Sequence, residues 1–344
     1  MATYFHFEKT TGMKATTGRN IARGRLRLMA GIILIAALGG CERKPPQTVT
    51  IFTLQPYPIL DDSIKGIRQA LQKQGFDSAR LRINEINANG QTNLLDGYAA
   101  EIVQAHPDVV VPVSTPVAKA VLKQARLQAT SGPPQAIVFS TVTNPNDVEM
   151  DKHPPNMTGV SDQVNYDANI ALIRELFPKA TRLGIIYNPS EANSQYGVDK
   201  VREIAKRENL TLRVVTVGNA TEVPDAARAI LKTVDAVYVG SDNTVTSAIA
   251  GLLAVCTPSG VPVIASDSGS VENGALAAVS VNYVALGESA GDIVARILKT
   301  KAAAGSIENV LFFGKTLLLN ERTAEKLGFT FPQAAKDRAG RIIK

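Results

Sequence analysis

The 344-residue chain has no tryptophan, two cysteines, three histidines and only 5% aromatic residues. Each shortage excludes something. His6, His106 and His153 lie far apart, the last two beside prolines, so no Cys/His cluster has the spacing of a zinc site. Cys41 and Cys256 are the only thiols, and no nucleophile with a paired base is visible, so the chain is read as a non-enzyme. There is no G-x-G-x-x-G motif or P-loop to cradle a dinucleotide or nucleotide phosphate. Carboxylates form no ring suited to a metal ion, and no metal or other cofactor is expected. The formal charge is +6, but Lys14, Arg19, Arg23, Arg25 and Arg27 supply five of those charges. The remainder is nearly neutral, so nucleic acid is not an expected partner. What remains, 45% hydrophobic and 20% charged residues, is the composition of a globular protein.

The early charges have their own pattern. Four arginines in Arg19–Arg27 precede the uncharged run "LMAGIILIAALGG", Leu28 to Gly40. A basic stretch, a short apolar stretch and small residues before a break make a secretory signal, and the run is too short to serve comfortably as a mature transmembrane helix. "LGGC", Leu38–Cys41, resembles a bacterial lipobox, in which the cysteine is acylated and becomes the new N-terminus. Residues 1–40 are then a lipoprotein signal peptide starting at Met1 or Met13, Cys41 the lipidation site, and 41–47 a proline-stiffened tether. The expected location is the outer face of a bacterial membrane, held by lipid. With Cys41 acylated no intrachain disulfide can form. Cys256, in an apolar helical stretch, reads as a buried, inert thiol.

Beyond residue 47 the pattern alternates strand and helix. Val/Ile-rich runs ("TVTIFTL", "LRINEIN", "PDVVVPVS", "PQAIVFSTV", "RLGIIYNPS", "LTLRVVTV", "DAVYVG", "VPVIASD", "ALAAVSV") are separated by helical patterns of ordinary length. This is the mark of βαβ units and parallel sheets covered on both faces. The order occurs twice, which predicts an α/β protein of two doubly wound parallel-sheet lobes. A connector, Asn144 to Asn156, reads as a loop, and one helix is expected over Thr244–Cys256.

Polar residues collect where these strands end. The ends carry Gln55 and Tyr57; Ser114 and Thr115; Ser140, Thr141, Thr143 and Asn144; Asn188, Ser190, Asn193 and Ser194; Asp242, Asn243 and Thr244; and Asp267 and Ser268. In open α/β sheets ligands bind outside the carboxyl ends of the strands. Any one of these residues also fits the role of a helix N-cap, and Asp242 in "GSDNTVTS" is open to both readings. Their recurrence in both halves favours a binding site. Without a Lys/Arg cluster, that edge suits a small neutral or zwitterionic solute. Helix N-termini would hold a carboxylate, Asp242 or Asp267 an amino group, and Tyr57 or Tyr196 an apolar part.

Several segments, "QPYPILDD", "NANGQTNLL", "PVSTPVAKA", "IVFSTVTNP", "NMTGVSD", "IIYNPSEANS", "YVGSDNTVTSA" and "NGALAAVSVNYVALG", occur in the order found in ABC transporter substrate-binding proteins of the tryptophan/tyrosine type. The chain resembles that family along nearly all of its mature length. The resemblance implies a type I periplasmic-binding-protein-like fold, with a hinge of three crossings and an interlobe cleft. It implies lobe 1 over 48–162 plus about 284–304, and lobe 2 over 163–283 plus about 305–335. It also implies a monomer that delivers its solute to an ABC permease and, through it, to a cytoplasmic ATPase. Family ligands include aromatic amino acids, which implies an aromatic or other amino acid-like solute; the family usually has His where this chain has Tyr57 and Asp where it has Asn144, both at the expected mouth of the cleft, so a solute other than an aromatic amino acid stays open. A lipid-anchored sensor for a signalling partner, or an α/β enzyme, would share this fold class.

Overall fold

The computed structural model describes residues 45–129 and 134–344; the expected signal peptide, Cys41 and most of the tether lie outside these residues. No helix among the described residues is long and apolar enough to cross a membrane. The first series comprises β1 (Gln47–Thr53), α1 (Pro58–Lys73), β2 (Leu81–Asn87), α2 (Leu95–Gln104), β3 (Val109–Val113), α3 (Thr115–Leu127), β4 (Ile137–Ser140) and β5 (Met157–Gln163). The second comprises α4 (Tyr166–Leu176), β6 (Arg182–Tyr187), α5 (Ala192–Arg207), β7 (Thr211–Thr216), α6 (Val223–Ile230), β8 (Ala236–Val239), α7 (Asn243–Ser247), α8 (Ile249–Cys256), β9 (Val263–Ala265), α9 (Ser268–Glu272) and β10 (Ala277–Ser280). The tail adds α10 (Tyr283–Thr300), β11 (Val310–Phe313), β12 (Thr316–Asn320), α11 (Glu321–Lys326), α12 (Gln333–Asp337) and β13 (Arg341–Ile343).

The strands form two sheets, ordered β11-β5-β4-β3-β1-β2 and β13-β12-β10-β9-β8-β6-β7. The first is parallel throughout, and only the β10–β12 pair of the second is antiparallel. In each, the second strand of the series flanks the first and the third lies on its other side. Both sheets therefore reverse direction beside their first strand, between β1 and β3 and between β6 and β8, which is where doubly wound folds open a crevice.

Strand side chains alternate between the two faces of each sheet. Val49 and Ile51 join the core under α1 and α10, while Phe52 joins the core under α2 and α3. Likewise Leu183 and Ile185 face one core of the second sheet and Ile186 the other. Burial on both faces explains why the strands read as continuous apolar runs. Cys256 sits in this interior, fully buried.

The chain passes between the sheets after β5, after β10 and after β11. The three passages touch: Gly314 N donates to Gln163 O at 3.0 Å and Lys315 N to Ser280 O at 3.1 Å, and Asn165 Nδ2 donates to Gly314 O at 3.3 Å. The first two lead directly into helices capped by asparagine, with Asn165 Oδ1 accepting from Ala168 N and Asn282 Oδ1 from Ala285 N.

Three features depart from the sequence expectation. β5 extends the connector into a strand that the apolar-run criterion passes over, because Thr158, Ser161 and Asp162 are buried polar residues within it. β11 pairs with β5 in the first sheet, whereas the sequence expectation puts residues from about 305 onward in lobe 2; the alternating exposure of "VLFF" marks an edge strand. The helix expected over Thr244–Cys256 is two helices meeting at Ala248. There the Thr246 hydroxyl donates back to Asp242 O and Ser247 to Thr244 O, and such bonds distort a helix.

α10 reaches the first sheet by pressing its backbone onto α1. A Cβ on Gly287 would overlap the Ser63 carbonyl, one on Gly66 the Val284 carbonyl, and one on Gly291 would crowd Ala70 and Ile67. Gly287→Ala is therefore expected to destabilise the protein by about 2–4 kcal/mol in urea unfolding, since helix separation would uncover core as well as strain contacts. Gly97→Ala, where a Cβ meets nothing within 4 Å, is the control expected to cost nothing.

Candidate functional site

The carboxyl ends of the two sheets face each other across a cleft. From the first lobe it is lined by Tyr57, Ile59 and Leu60 at the start of α1, Ser114 and Thr115 after β3, Thr141 and Thr143 after β4, Asp162 in β5 and Tyr283 at the start of α10. From the second it is lined by Asn193 in α5, Ser241, Asp242, Asn243 and Thr246 around the start of α7, and Ser266 and Asp267 before α9.

Hydrogen bonds cross the cleft. Tyr57 Oη donates to Asp267 Oδ1 at 2.9 Å and also lies 2.9 Å from Ser270 Oγ. Thr143 Oγ1 and Ser241 Oγ are 2.8 Å apart, and Gln55 Nε2 donates to Asn243 O at 3.1 Å. Burial and the adjacent Asp267 carboxyl hold the Tyr57 hydroxyl far above its ordinary pKa, so it stays a donor at every physiological pH. Drawn together in this way, the lobes leave a cavity of about 30 Å³, space for one or two waters.

The second lobe's polar residues are largely tied to one another. Asp242 Oδ1 caps α7 by accepting from Val245 N at 2.8 Å, and its Oδ2 accepts from Asn188 N at 2.7 Å and from the Ser194 hydroxyl. Glu191, buried, accepts from Asn243 N and Thr244 N at 2.9 Å each and from both of their side chains. Asn193 Nδ2 donates to Ser241 O, and Asn188 Nδ2 to Thr244 Oγ1. Asp267 caps α9 through Ser270 N and also takes the Ser270 hydroxyl. Burial raises the Asp242 pKa, with Glu191 adding to the rise and the three donors opposing it. Burial likewise raises Asp267.

The first lobe is different. Ser114 and Thr141 end neighbouring strands with φ of 96° and 57°, conformations that non-glycine residues adopt at a cost and that gather at functional sites. α3 begins at Ser114 without a side-chain cap. Ser114 Oγ, Thr141 Oγ1 and Asp162 Oδ1, with Asn193 Oδ1 from the opposite lobe, are buried with no hydrogen-bond partner, and all four residues line the same cavity. Buried polar groups are nearly always paired, so four unpaired around one space leave this cavity with unmet hydrogen-bonding capacity.

Of the expected site residues, Tyr57, Ser114, Thr115, Thr141, Thr143, Asn193, Asp242, Asn243 and Asp267 line this cleft. Gln55 bridges it from the edge. Ser140 lies beneath, 2.8 Å from Ser63 Oγ. Asn188, Ser194 and Thr244 brace the loop around Asp242. Asn144 caps its own turn through Asn146 N and binds Asp147, and Ser268 N donates to Ser280 Oγ. Ser190 faces an open groove of about 730 Å³ beside α3, where Arg126 pairs with Glu149 at 2.8 Å and Lys123 with Asp96. Tyr196 stacks edge-on against Tyr166. The sequence pattern passes over Asp162, Ser241, Thr246, Ser266 and Tyr283 as site residues. Asp162 stands inside an unrecognised strand; Ser241 and Ser266 sit in strand ends already marked as polar.

This geometry agrees with the chain's relatives. The family model for ABC transporter substrate binding proteins matches residues 48–343. The chain belongs to this family. A tyrosine-binding protein of Clostridioides difficile (strain R20291) is 29% identical over 320 residues, 87% of this chain and 90% of the relative. The solved L-Trp complex of an ABC domain from Streptococcus pneumoniae is 25% identical, with a TM-score of 0.80 over 87% of this chain and 100% of that one. A ligand-free, open substrate-binding protein with adhesive properties from Clostridium difficile is 26% identical over 87% of this chain and 99% of that one, with a TM-score of 0.64. At similar identity the better superposition is on the complex, in keeping with lobes drawn together by cross-cleft bonds. The fold is type I periplasmic-binding-protein-like, and members of this ABC substrate-binding family work outside the cytoplasm with a permease and its ATPase.

Two substitutions separate bracing from bridging. Asp242→Ala in this substrate-binding protein removes a cap and strands two further buried donors, and is expected to lower unfolding free energy by about 2–4 kcal/mol. Unchanged stability with a large loss of solute affinity would show instead that Asp242 is chiefly a ligand contact. Tyr57→Phe deletes a bond between lobes, worth about 1 kcal/mol. Spin labels placed one on each lobe are expected to show a longer-distance population that is absent or several-fold smaller in the parent protein.

Proposed function

We propose that the protein captures an amino acid, with an aromatic one the first candidate, between its lobes and presents it to an ABC permease. The observation that carries this reading is the set of four buried, unpaired polar atoms, on Ser114, Thr141, Asp162 and Asn193, around one interlobe cavity. Ser114 and Thr141, beside the uncapped start of α3, suit a carboxylate: two hydroxyl donors meet the positive end of a 13-residue helix. Ile59 and Leu60 with the rings of Tyr57 and Tyr283 suit an apolar side chain. The naming of tyrosine and L-Trp for two relatives supports the class. To admit such a solute the cleft must widen, and we assign the widening to rotation about the three touching passages between sheets. Lobe 1 then comprises the first sheet with α10, and lobe 2 the second. Binding without turnover follows the relatives, which are solute-binding proteins.

We also propose that Cys41 carries the lipid that keeps the protein at an extracytoplasmic membrane surface, supported by the lipobox-like "LGGC" after a basic and apolar leader. The protein then acts as a tethered monomer.

The reading is tested by isothermal titration of protein stripped of copurified solute against the twenty amino acids. Micromolar or tighter binding of at least one is expected, about −8 kcal/mol, and failure of all twenty would refute the reading. For the solute that binds, Ser114→Ala and Thr141→Ala are each expected to weaken affinity about tenfold, about 1.4 kcal/mol, with small changes in melting temperature.

A further inference from the structure

Three carboxyl groups line the cleft, on Asp162, Asp242 and Asp267, and no Lys, Arg or His is among the described residues that line it. Asp242 and Asp267 have donors on both oxygens. Asp162 does not. It is 1% exposed, its Oδ2 accepts from Tyr283 Oη at 3.2 Å, and its Oδ1 is unpartnered at the cavity. A buried carboxylate so poorly provided for must take either a proton or a positive charge from outside.

We propose that Asp162 seats the ammonium group of the solute on its free Oδ1, and that solute entry expels the proton this carboxyl otherwise holds. The exchange balances: a neutral carboxylic acid and an ammonium become a carboxylate–ammonium pair, and one proton leaves to solvent. The proposal rests on the amino-acid reading above and narrows it, assigning the amine to Asp162 where the sequence pointed to Asp242 or Asp267. A solute with a carboxylate but no amine is excluded.

The surroundings of Asp162 agree. The titratable groups facing it are Tyr283 at the start of α10, Tyr57 at the start of α1, Tyr166 in α4, Asp267 before α9 and Asp242 before α7. None brings a positive charge. Burial pushes Asp162 up to about 7, the Tyr283 hydroxyl opposing and Asp267 adding to the rise. The solute-free protein therefore holds a fraction of a proton there near neutral pH. An ammonium ion favours the ionised form, so the pKa falls on binding and affinity rises with pH up to about 7, then levels. Between pH 6 and 8 the amino acid keeps its own charges, and Kd is expected to be about tenfold weaker at pH 6 than at pH 8.

The test titrates L-tryptophan and L-tyrosine into solute-stripped protein in phosphate and in Tris, whose ionisation enthalpies differ. Between pH 6 and 7 the buffers should report a fraction of a proton released per solute bound, and at pH 8 distinctly less. Asp162→Asn should abolish the release, flatten the pH dependence and weaken binding at least tenfold at pH 8. The deaminated analogues 3-(indol-3-yl)propionate and 3-(4-hydroxyphenyl)propionate should not bind. Saturable binding whose heat is independent of buffer throughout pH 6 to 7, or analogues that bind as well as the amino acids, would overturn the proposal while leaving the amino-acid reading standing. Failure of every amino acid to bind would remove both. The buffer comparison uses the unaltered protein, so it decides the matter whether or not the Asn variant folds.

Discussion

The cleft is governed by the cost of burying polar groups, which each must meet a partner or go unsatisfied at an expense of about 1–3 kcal/mol. Two parallel sheets place the carboxyl ends of their strands edge to edge, and those ends carry hydroxyls, amides and carboxylates. The second lobe resolves the problem internally. Glu191 and Asp242 together accept from the backbone or side chains of Asn188, Asn193, Ser194, Asn243, Thr244 and Val245. The first lobe leaves Ser114, Thr141 and Asp162 unpaired and holds two of these positions in positive φ. One wall of the cleft is thus satisfied apart from Asn193 Oδ1, and the other is a set of groups without partners.

The unpaired wall depends on packing far from the binding chemistry. Tyr283, whose hydroxyl bonds Asp162, enters the first lobe at the start of a helix reached only after the whole second lobe has been traced. Its position follows from the backbone contact of α10 with α1, which glycines 66, 287 and 291 permit. The same α1 begins with Tyr57, whose ring and hydroxyl reach Asp267 and crowd Gly269 on the opposite lobe. One helix pair therefore supports the seat for a charge and the bond that holds the lobes together.

Much of this was legible from residues alone. Continuous Val/Ile runs separated by helical periods are what sheets covered on both faces require, and the doubled order of elements foretold two lobes. Polar strand ends marked the edges that face each other across the cleft, and nine of the seventeen expected contacts line it. Those that do not, such as Asn188, Ser194 and Thr244, carry the same residue types as true lining positions. Local sequence cannot separate a residue that braces a loop from one that faces a ligand, because both roles require a short hydrogen-bonding side chain. Asp162 escaped notice for the opposite reason. A buried carboxyl inside a strand breaks the apolar pattern that reveals strands, so the feature that makes it chemically unusual also hid the element carrying it. β11 escaped because a short edge strand with Leu311 and Phe313 exposed has no continuous burial to record.

Charge decides what fits. A zwitterion brings no net charge into a cleft lined by three carboxyls and no base, yet its two ends need opposite environments a few ångströms apart. The start of α3 with Ser114 and Thr141 supplies donors and a positive helix end. Asp162 supplies an acceptor that shares its cavity with two other carboxyls, each already provided with donors. A dianion would meet Asp162 without compensation, and a simple cation would leave the α3 terminus unanswered. A molecule carrying both signs answers the α3 terminus and Asp162 at once, and this complementarity lies within a single lobe. Solute can therefore be recognised before the lobes meet, with Asn193 and the Tyr57–Asp267 bond adding contacts that exist only when they do. Discrimination and closure are in this way divided between the unpaired groups of one lobe and the bonds between lobes.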